Sequence, residues 1–338
     1  MIQEAIDFVI PLYRVRWNTR AVLEGLTTHY RPRTIHVVTP KSQAGLLAER
    51  AQVWQIAPLY TYEEETFFHR KNGLTKESIC AELIVEESLY RPGWFYQQLL
   101  KLGASEGIEG LNEWYVVWDS DLLPVSPWSL LGEGGQHTFA LLQNNQWGNA
   151  QIVSTWAEWI RSVLGVEPLT DSVGTFIPHH IWFKQEHLES FKRQLSVYFQ
   201  SDTSWLLLMM RSANQFGTFS EYWSYASWVA ARAPADLAFH PYEKYGATTE
   251  RFFDDGTGRF SAALQRYQSL MTANEGFSPP YAEVEAFIRA EYGTKALPSS
   301  LSFESSPRHL QKQAETMHIE EFRSRWNPRS TEVSSANI

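Results

Sequence analysis

Short β-type runs alternate with amphipathic helical stretches through the first 118 residues, and few folds accommodate that order. Asp7 to Leu12, Thr34 to Val38, Val53 to Ile56 and Trp114 to Trp118 read as strands. Between them, a helix capped by Asn18 or Thr19 carries Val22, Leu23 and Leu26, and a short one spans Gly45 to Arg50. A third runs from Lys76 to Tyr90 behind Thr75 as cap, with Ile79, Leu83 and Ile84 on one face, and a fourth from Trp94 to Leu102. Strands separated by helices pair in parallel and carry the helices on both sheet faces. The expected architecture is therefore α/β, a Rossmann-type domain with a mostly parallel central sheet, whose ligands bind beyond the carboxyl ends of the strands.

The second half is less regular. Thr138 to Leu142 is strand-like, and Phe176 to Lys184 reads as extended around Pro178-His179-His180. Trp156, Trp159, Ile160, Val163 and Leu164 recur at helical spacing over Thr155 to Leu164. Gln185 to Phe199 is helical through Leu188, Phe191 and Leu195, and Ser220 caps a helix that runs to about Arg232. Beyond Gly293 the chain turns Ser-, Pro- and Gln-rich, with one more amphipathic helix from Ser306-Pro307 through Leu310, Ala314 and Met317. The expected division is a catalytic domain over 1–250, a helical C-terminal extension over 251–325 and a flexible tail over 326–338. Within the first, 1–125 is the nucleotide-binding half and 126–250 the acceptor half.

A net charge of −9 gives no broad basic surface for nucleic acid. The single cysteine, Cys80, leaves no internal disulfide and no cysteine zinc site. No apolar run is long enough to span a bilayer, and the N-terminus lacks the pattern of a secretory signal. The expectation is a cytoplasmic protein, at most peripheral at the inner face of a membrane. The 14 tryptophans suit sugar stacking, although most aromatics of a globular chain are core.

Asp119 and Asp121 stand one residue apart directly after the Trp114 to Trp118 strand, in the place where a ligand crevice is expected. Two carboxylates so spaced can hold one hard cation, Mn²⁺ or Mg²⁺, which neutralises the charge on a departing diphosphate. The stretch from Tyr115 through Asp119-Ser120-Asp121 to Pro124 resembles the Asp-x-Asp segment of GT-A-fold glycosyltransferases. Together with Gly93 to Leu102 and Phe219-Ser220-Glu221-Tyr222, it resembles a group of poorly characterised bacterial glycosyltransferase-like proteins over roughly residues 6 to 245. The resemblance implies a GT-A-like fold and transfer of a sugar from a UDP- or GDP-sugar to a saccharide or other hydroxyl acceptor. It places Asp119 near the ribose and the metal, and Asp121 on the metal.

Glu221, at a helix N-terminus that favours its ionised form, is the candidate general base, and would imply inversion at the anomeric carbon. Gln97 and Lys101 share a helix face and can reach donor phosphate or sugar together. Of His179 and His180, which point opposite ways on a strand, one is expected in the cleft; the resemblance implies an acceptor or sugar contact there, assigned to His180. The resemblance implies a third metal contact from a downstream histidine, for which His240 is placed. Pro11, Tyr13 and Arg14 after the first strand, and Thr39 after the second, are positional candidates for the nucleotide. Arg14 to Arg16 is basic where the resembled proteins often carry a polar or acidic residue.

Two other readings compete. A haloacid-dehalogenase-type phosphatase would use Asp119 as nucleophile, with Lys244 and Asp254-Asp255 as later motifs, but more than a hundred residues precede its first motif here. A non-catalytic carbohydrate-binding protein would account for the tryptophans and leave Asp119, Asp121, Glu221 and Lys101 without a joint purpose.

Overall fold

The computed structural model describes residues 5–84, 91–127, 130–132, 135–140, 142–143, 150–169, 174–175, 179–240, 249–252, 262–274, 276–293, 297 and 299–303. Lys244, Asp254-Asp255, Pro178, the helix expected from Ser306 and the tail lie outside these residues. In chain order the first elements are β1 (Asp7–Pro11), α1 (Thr19–Tyr30), β2 (Thr34–Thr39), α2 (Lys41–Val53) and β3 (Leu59–Glu63). Short helices α3 (His69–Asn72) and α4 (Lys76–Cys80) lead to α5 (Pro92–Leu102), α6 (Ala104–Gly107), β4 (Trp114–Trp118) and β5 (Leu122–Pro124). Then come β6 (His137–Ala140), β7 (Leu142–Gln143), α7 (Ala150–Trp159) with its π-helical continuation Ile160–Leu164, β8 (Gly174–Thr175) and β9 (His180–Lys184). Helices α8 (Gln185–Phe199), α9 (Trp205–Phe216) and α10 (Glu221–Arg232) precede β10 (Leu237–His240) and β11 (Thr249–Phe252). Helices α11 (Ala262–Ala273) and α12 (Tyr281–Tyr292) and strand β12 (Ser300–Phe303) complete the series.

Contacts divide the chain into two compact units. The first is drawn from Met1–Val15, Tyr30–Ser120 and Trp128–Ala247. Its five-stranded sheet has the order β3-β2-β1-β4-β9. The first three pairings are parallel and β4–β9 is antiparallel, so the central sheet is mostly parallel, as the alternation of strands and helices predicts. Phe8, Val9 and Ile10 of β1 and Tyr115 through Trp118 of β4 are all buried, the continuous apolar run that a strand covered on both faces requires. The helical face Trp156, Trp159, Ile160, Val163, Leu164 is buried as its spacing predicts. The indole N–H groups of Trp156 and Trp159 donate to Thr218 and Ser212, and those of Trp182 and Trp223 to the carbonyls of Leu130 and Leu169. These tryptophans are core residues with satisfied polar ends and offer no sugar-stacking face.

Three local expectations are corrected. The strand expected at Val53 to Ile56 is the end of α2: Gln55 adopts φ +58 and the Ile56 amide donates to the Ala51 carbonyl, turning the chain so that Ile56 is buried. The strand is instead β3, where aromatic and β-branched residues alternate. The helix expected over Lys76 to Tyr90 ends at Cys80 among the described residues, and residues 85–90 of that expectation lie outside them. Thr75 and Ser78 form the capping box, but the Ile84 amide donates to Asn214 Oδ1 of α9 at 2.7 Å instead of continuing the helix ladder. Ser220 precedes α10 but makes no side-chain capping bond.

The second unit is drawn from Arg16–His29, Asp121–Pro127 and Thr248–Ile338. Its three-stranded sheet runs β11-β12-β5, with β12 parallel to β11 and antiparallel to β5. Trp17 packs edge-on against Tyr267 and Phe303, and Tyr267 stacks on Phe287. α1 approaches closely at Gly25, where a Cβ would fall 2.8 Å from Pro124 Cγ. Among the described residues, no helix is long and apolar enough to cross a membrane.

Candidate functional site

β1, β2 and β3 step outward in one direction, and β4 returns to the other side of β1. Open α/β sheets form their ligand crevice beyond the carboxyl ends of strands at such a reversal. Asp119 leaves β4 there. Its amide donates to the His179 carbonyl at 2.9 Å, carrying the β4–β9 ladder one step past the Trp118–His180 pair. His179 holds φ +63, a left-handed conformation uncommon outside glycine, and turns the chain into β9 beside the aspartate.

The Asp119 carboxylate is divided between two sets of partners. Oδ1 accepts from the Lys101 ammonium at 2.6 Å and from the Tyr222 hydroxyl at 2.6 Å. Oδ2 faces His179 Nδ1 at 3.0 Å. Lys101 also donates to Glu221 Oε1 at 2.6 Å, and its ammonium lies 4.3 Å from the centre of the Tyr222 ring. Gln98, three residues before Lys101 on the same face of α5, accepts the Glu221 amide on Oε1 at 2.9 Å. It thereby supplies the acceptor at the start of α10 that Ser220 does not.

Burial raises the Asp119 carboxyl, but the Lys101 charge and the hydrogen bond and charge of His179 outweigh it and hold the group well below the usual carboxylate range. Burial lowers Lys101, and the charges of Asp119 and Glu221 more than reverse this, leaving the ammonium above its ordinary value.

Asp119, Asp121 and His179 each offer one ligand atom, and these atoms lie within 4.8 Å of one another. The place of Asp121 near Asp119 follows from their separation of two residues along the chain, and its carbonyl accepts the Phe303 amide. Two carboxylates and an imidazole suit a divalent cation.

Residues 6–257 match DUF6492, a family of unknown function. The chain belongs to the DUF6492 family. No curated protein matches this DUF6492 member. Its fold is loosely similar to mouse xyloside xylosyltransferase 1 in the apo form, with a TM-score of 0.40 and 10% identity over 88% of this chain and 97% of that one. The apo bifunctional glycosyltransferase WbbM gives 0.42 and 10% over 89% and 46%. Glucosyl-3-phosphoglycerate synthase of Mycobacterium tuberculosis, in complex with Mn²⁺, UDP and glucosyl-3-phosphoglycerate, gives 0.31 and 15% over 70% and 68%. Likenesses this loose say nothing of the substrate of the DUF6492 chain.

Among the residues singled out from sequence, Asp119, Lys101 and Glu221 meet in one buried cluster. His180 is buried with its ring 4.8 Å from that of Trp118. Pro11 ends β1 and Thr39 ends β2, both buried, and Thr39 Oγ1 has no hydrogen-bond partner among the described residues. Tyr13 is 75% exposed, while Arg14 and Gln97 are half-buried. His240 ends β10, and its side chain lies outside the described residues; the histidine beside the aspartates is His179. Tyr222 belongs to the Phe219-Ser220-Glu221-Tyr222 stretch that carries the resemblance, but its bond to Asp119 and the capping role of Gln98 have no signal in the sequence.

Proposed function

We propose that this DUF6492 member is a metal-dependent glycosyltransferase that moves a sugar from a nucleotide-sugar donor to an acceptor hydroxyl. The observation that carries the reading is the Asp119-Asp121-His179 group at the carboxyl end of β4, at the reversal of strand order. In this reading the three residues hold Mn²⁺ or Mg²⁺, which supplies Lewis-acid stabilisation of a departing nucleoside diphosphate of the UDP or GDP class. Pro11, Tyr13, Arg14 and Thr39, at or just after the carboxyl ends of β1 and β2, belong to the nucleotide side, with Gln97 and His180 as further contacts and His240 as a further candidate ligand. Residues 1–125 would then serve the donor and 126–250 the acceptor. Glu221 pairs with Lys101 through Oε1, and in this reading its other oxygen, Oε2, takes the acceptor proton as the general base.

Calorimetric titration with UDP and GDP, with and without Mn²⁺, tests the reading. Nucleotide affinity is expected to rise with the ion, and Asp121→Ala is expected to lose that gain while staying folded. A nucleotide sugar should yield nucleoside diphosphate, faster with an acceptor. Equal affinity with and without metal would overturn the proposal, as would phosphomonoester hydrolysis that depends on Asp119.

A further inference from the structure

We infer that Tyr222 is a positioning residue that, with Lys101, reserves Asp119 Oδ1 for the protein and offers Oδ2 alone to an ion shared with His179. The inference rests on the function proposed above and goes beyond it, because it assigns the two oxygens of one carboxylate different tasks and derives a metal preference from the division. The Tyr222 hydroxyl and the Lys101 ammonium both lie 2.6 Å from Oδ1, whereas Oδ2 faces His179 Nδ1. Tyr222 is 1% exposed and packed under the Lys101 ammonium, so its hydroxyl has little freedom to leave the carboxylate. Gln98, capping the amide of Glu221, fixes the start of the helix on which Tyr222 is the second residue.

A carboxylate with one oxygen committed in this way binds an ion through the other only. Ca²⁺ takes six to eight oxygens and often grips a carboxylate through both, while smaller octahedral ions take single oxygens at shorter distance. An imidazole nitrogen in the ligand set adds to the preference, since calcium sites are built from oxygen. The arrangement therefore favours Mn²⁺ over Ca²⁺. Hydrogen-bond partners of ligating carboxylates are typically worth 10- to 100-fold in metal affinity.

The test uses the full chain and the metals alone. The parent is expected to bind Mn²⁺ more tightly than Ca²⁺ by calorimetry. Tyr222→Phe keeps the ring under Lys101 and removes only the hydroxyl. It is expected to weaken Mn²⁺ binding 10- to 100-fold and to narrow the ratio of the two affinities, a change that a packing role would not produce. Ser224→Ala, a buried hydroxyl on the same helix, is expected to leave both affinities unchanged. Unaltered Mn²⁺ affinity in Tyr222→Phe, with binding abolished in Asp121→Ala, would overturn this inference and leave the proposed function standing. A parent that binds Ca²⁺ as tightly as Mn²⁺ would overturn it without recourse to any variant, and a parent that binds neither would remove the proposed function as well.

Discussion

Lys101 is the residue on which the buried charges of the cluster depend. Its side chain is 5% exposed and lies between two carboxylates, those of Asp119 and Glu221. Lys101→Met would leave both without their cation, and removing one partner of a buried pair typically costs about 3–5 kcal/mol. A fall of that size is expected in urea unfolding at pH 7. Asp119 gives the cluster its acid sensitivity. Its folded carboxyl titrates below the unfolded value of about 4, so its stabilisation is present above that pH and is lost as pH falls through the folded value. In Asp119→Asn the corresponding acid limb of the stability profile should flatten. The sequence already points to Asp119, Lys101 and Glu221 one by one, through a strand end, a helix face and a helix start. Their meeting is not legible there, because 120 residues separate Lys101 from Glu221 and only the packing of α5 against α10 joins them. The choice of His179 over His180 turns on a single left-handed backbone conformation that no periodicity announces.

At the scale of elements, α5 carries Gln98 and Lys101 and ends against aromatic rings. A Cβ at Gly103 would stand 2.8 Å from Trp205 Cζ2 and closer still to Phe68. Gly103→Ala is therefore expected to lower stability by about 1–3 kcal/mol, measured as a shift in urea midpoint, because the rings must move. β6 brings a second titration. His137 stacks on Trp114 at 3.7 Å, and burial pushes its imidazole down from 6.5 to about 4. A depressed value means that stability is complete above pH 6.5 and falls as pH drops toward 4. His137→Phe should keep the stack and remove that slope. β1, β2, β4, α8 and α10 are legible because each has a pure period or a continuous apolar run. α4 ends early and Val53 to Ile56 is not a strand because single long-range hydrogen bonds and one turn decide both, which a local pattern does not contain. α9, Trp205-Leu206-Leu207-Leu208-Met209-Met210 at its start, has no polar face there to reveal a helical period.

For the whole molecule, the proposed ligand is also a stabiliser. Mn²⁺ with a nucleoside diphosphate at a hundred times its Kd should add about 2.7 kcal/mol to the unfolding free energy by mass action. A thermal-shift panel of nucleotides with Mn²⁺, against the same panel with chelator, would detect this; identical melting in both would count against the site. The α/β class is legible from the alternation of its strands and helices alone. The grouping of α1 with β5, β11, β12 and the late helices is not, since it joins segments more than two hundred residues apart. The reversed strand β9 has a consequence for the order in which the protein is made. Synthesis runs from the N-terminus, so β1 to β4 leave the ribosome before residues 179–184 exist. Until they arrive, β4 is an open sheet edge carrying Tyr115, Val117 and Trp118, the kind of edge on which nascent chains stick to one another. The arrival of β9 seals that edge and delivers His179 to Asp119 in the same event. A chain interrupted before residue 179 would leave the β4 edge unpaired and Asp119 without the His179 contact.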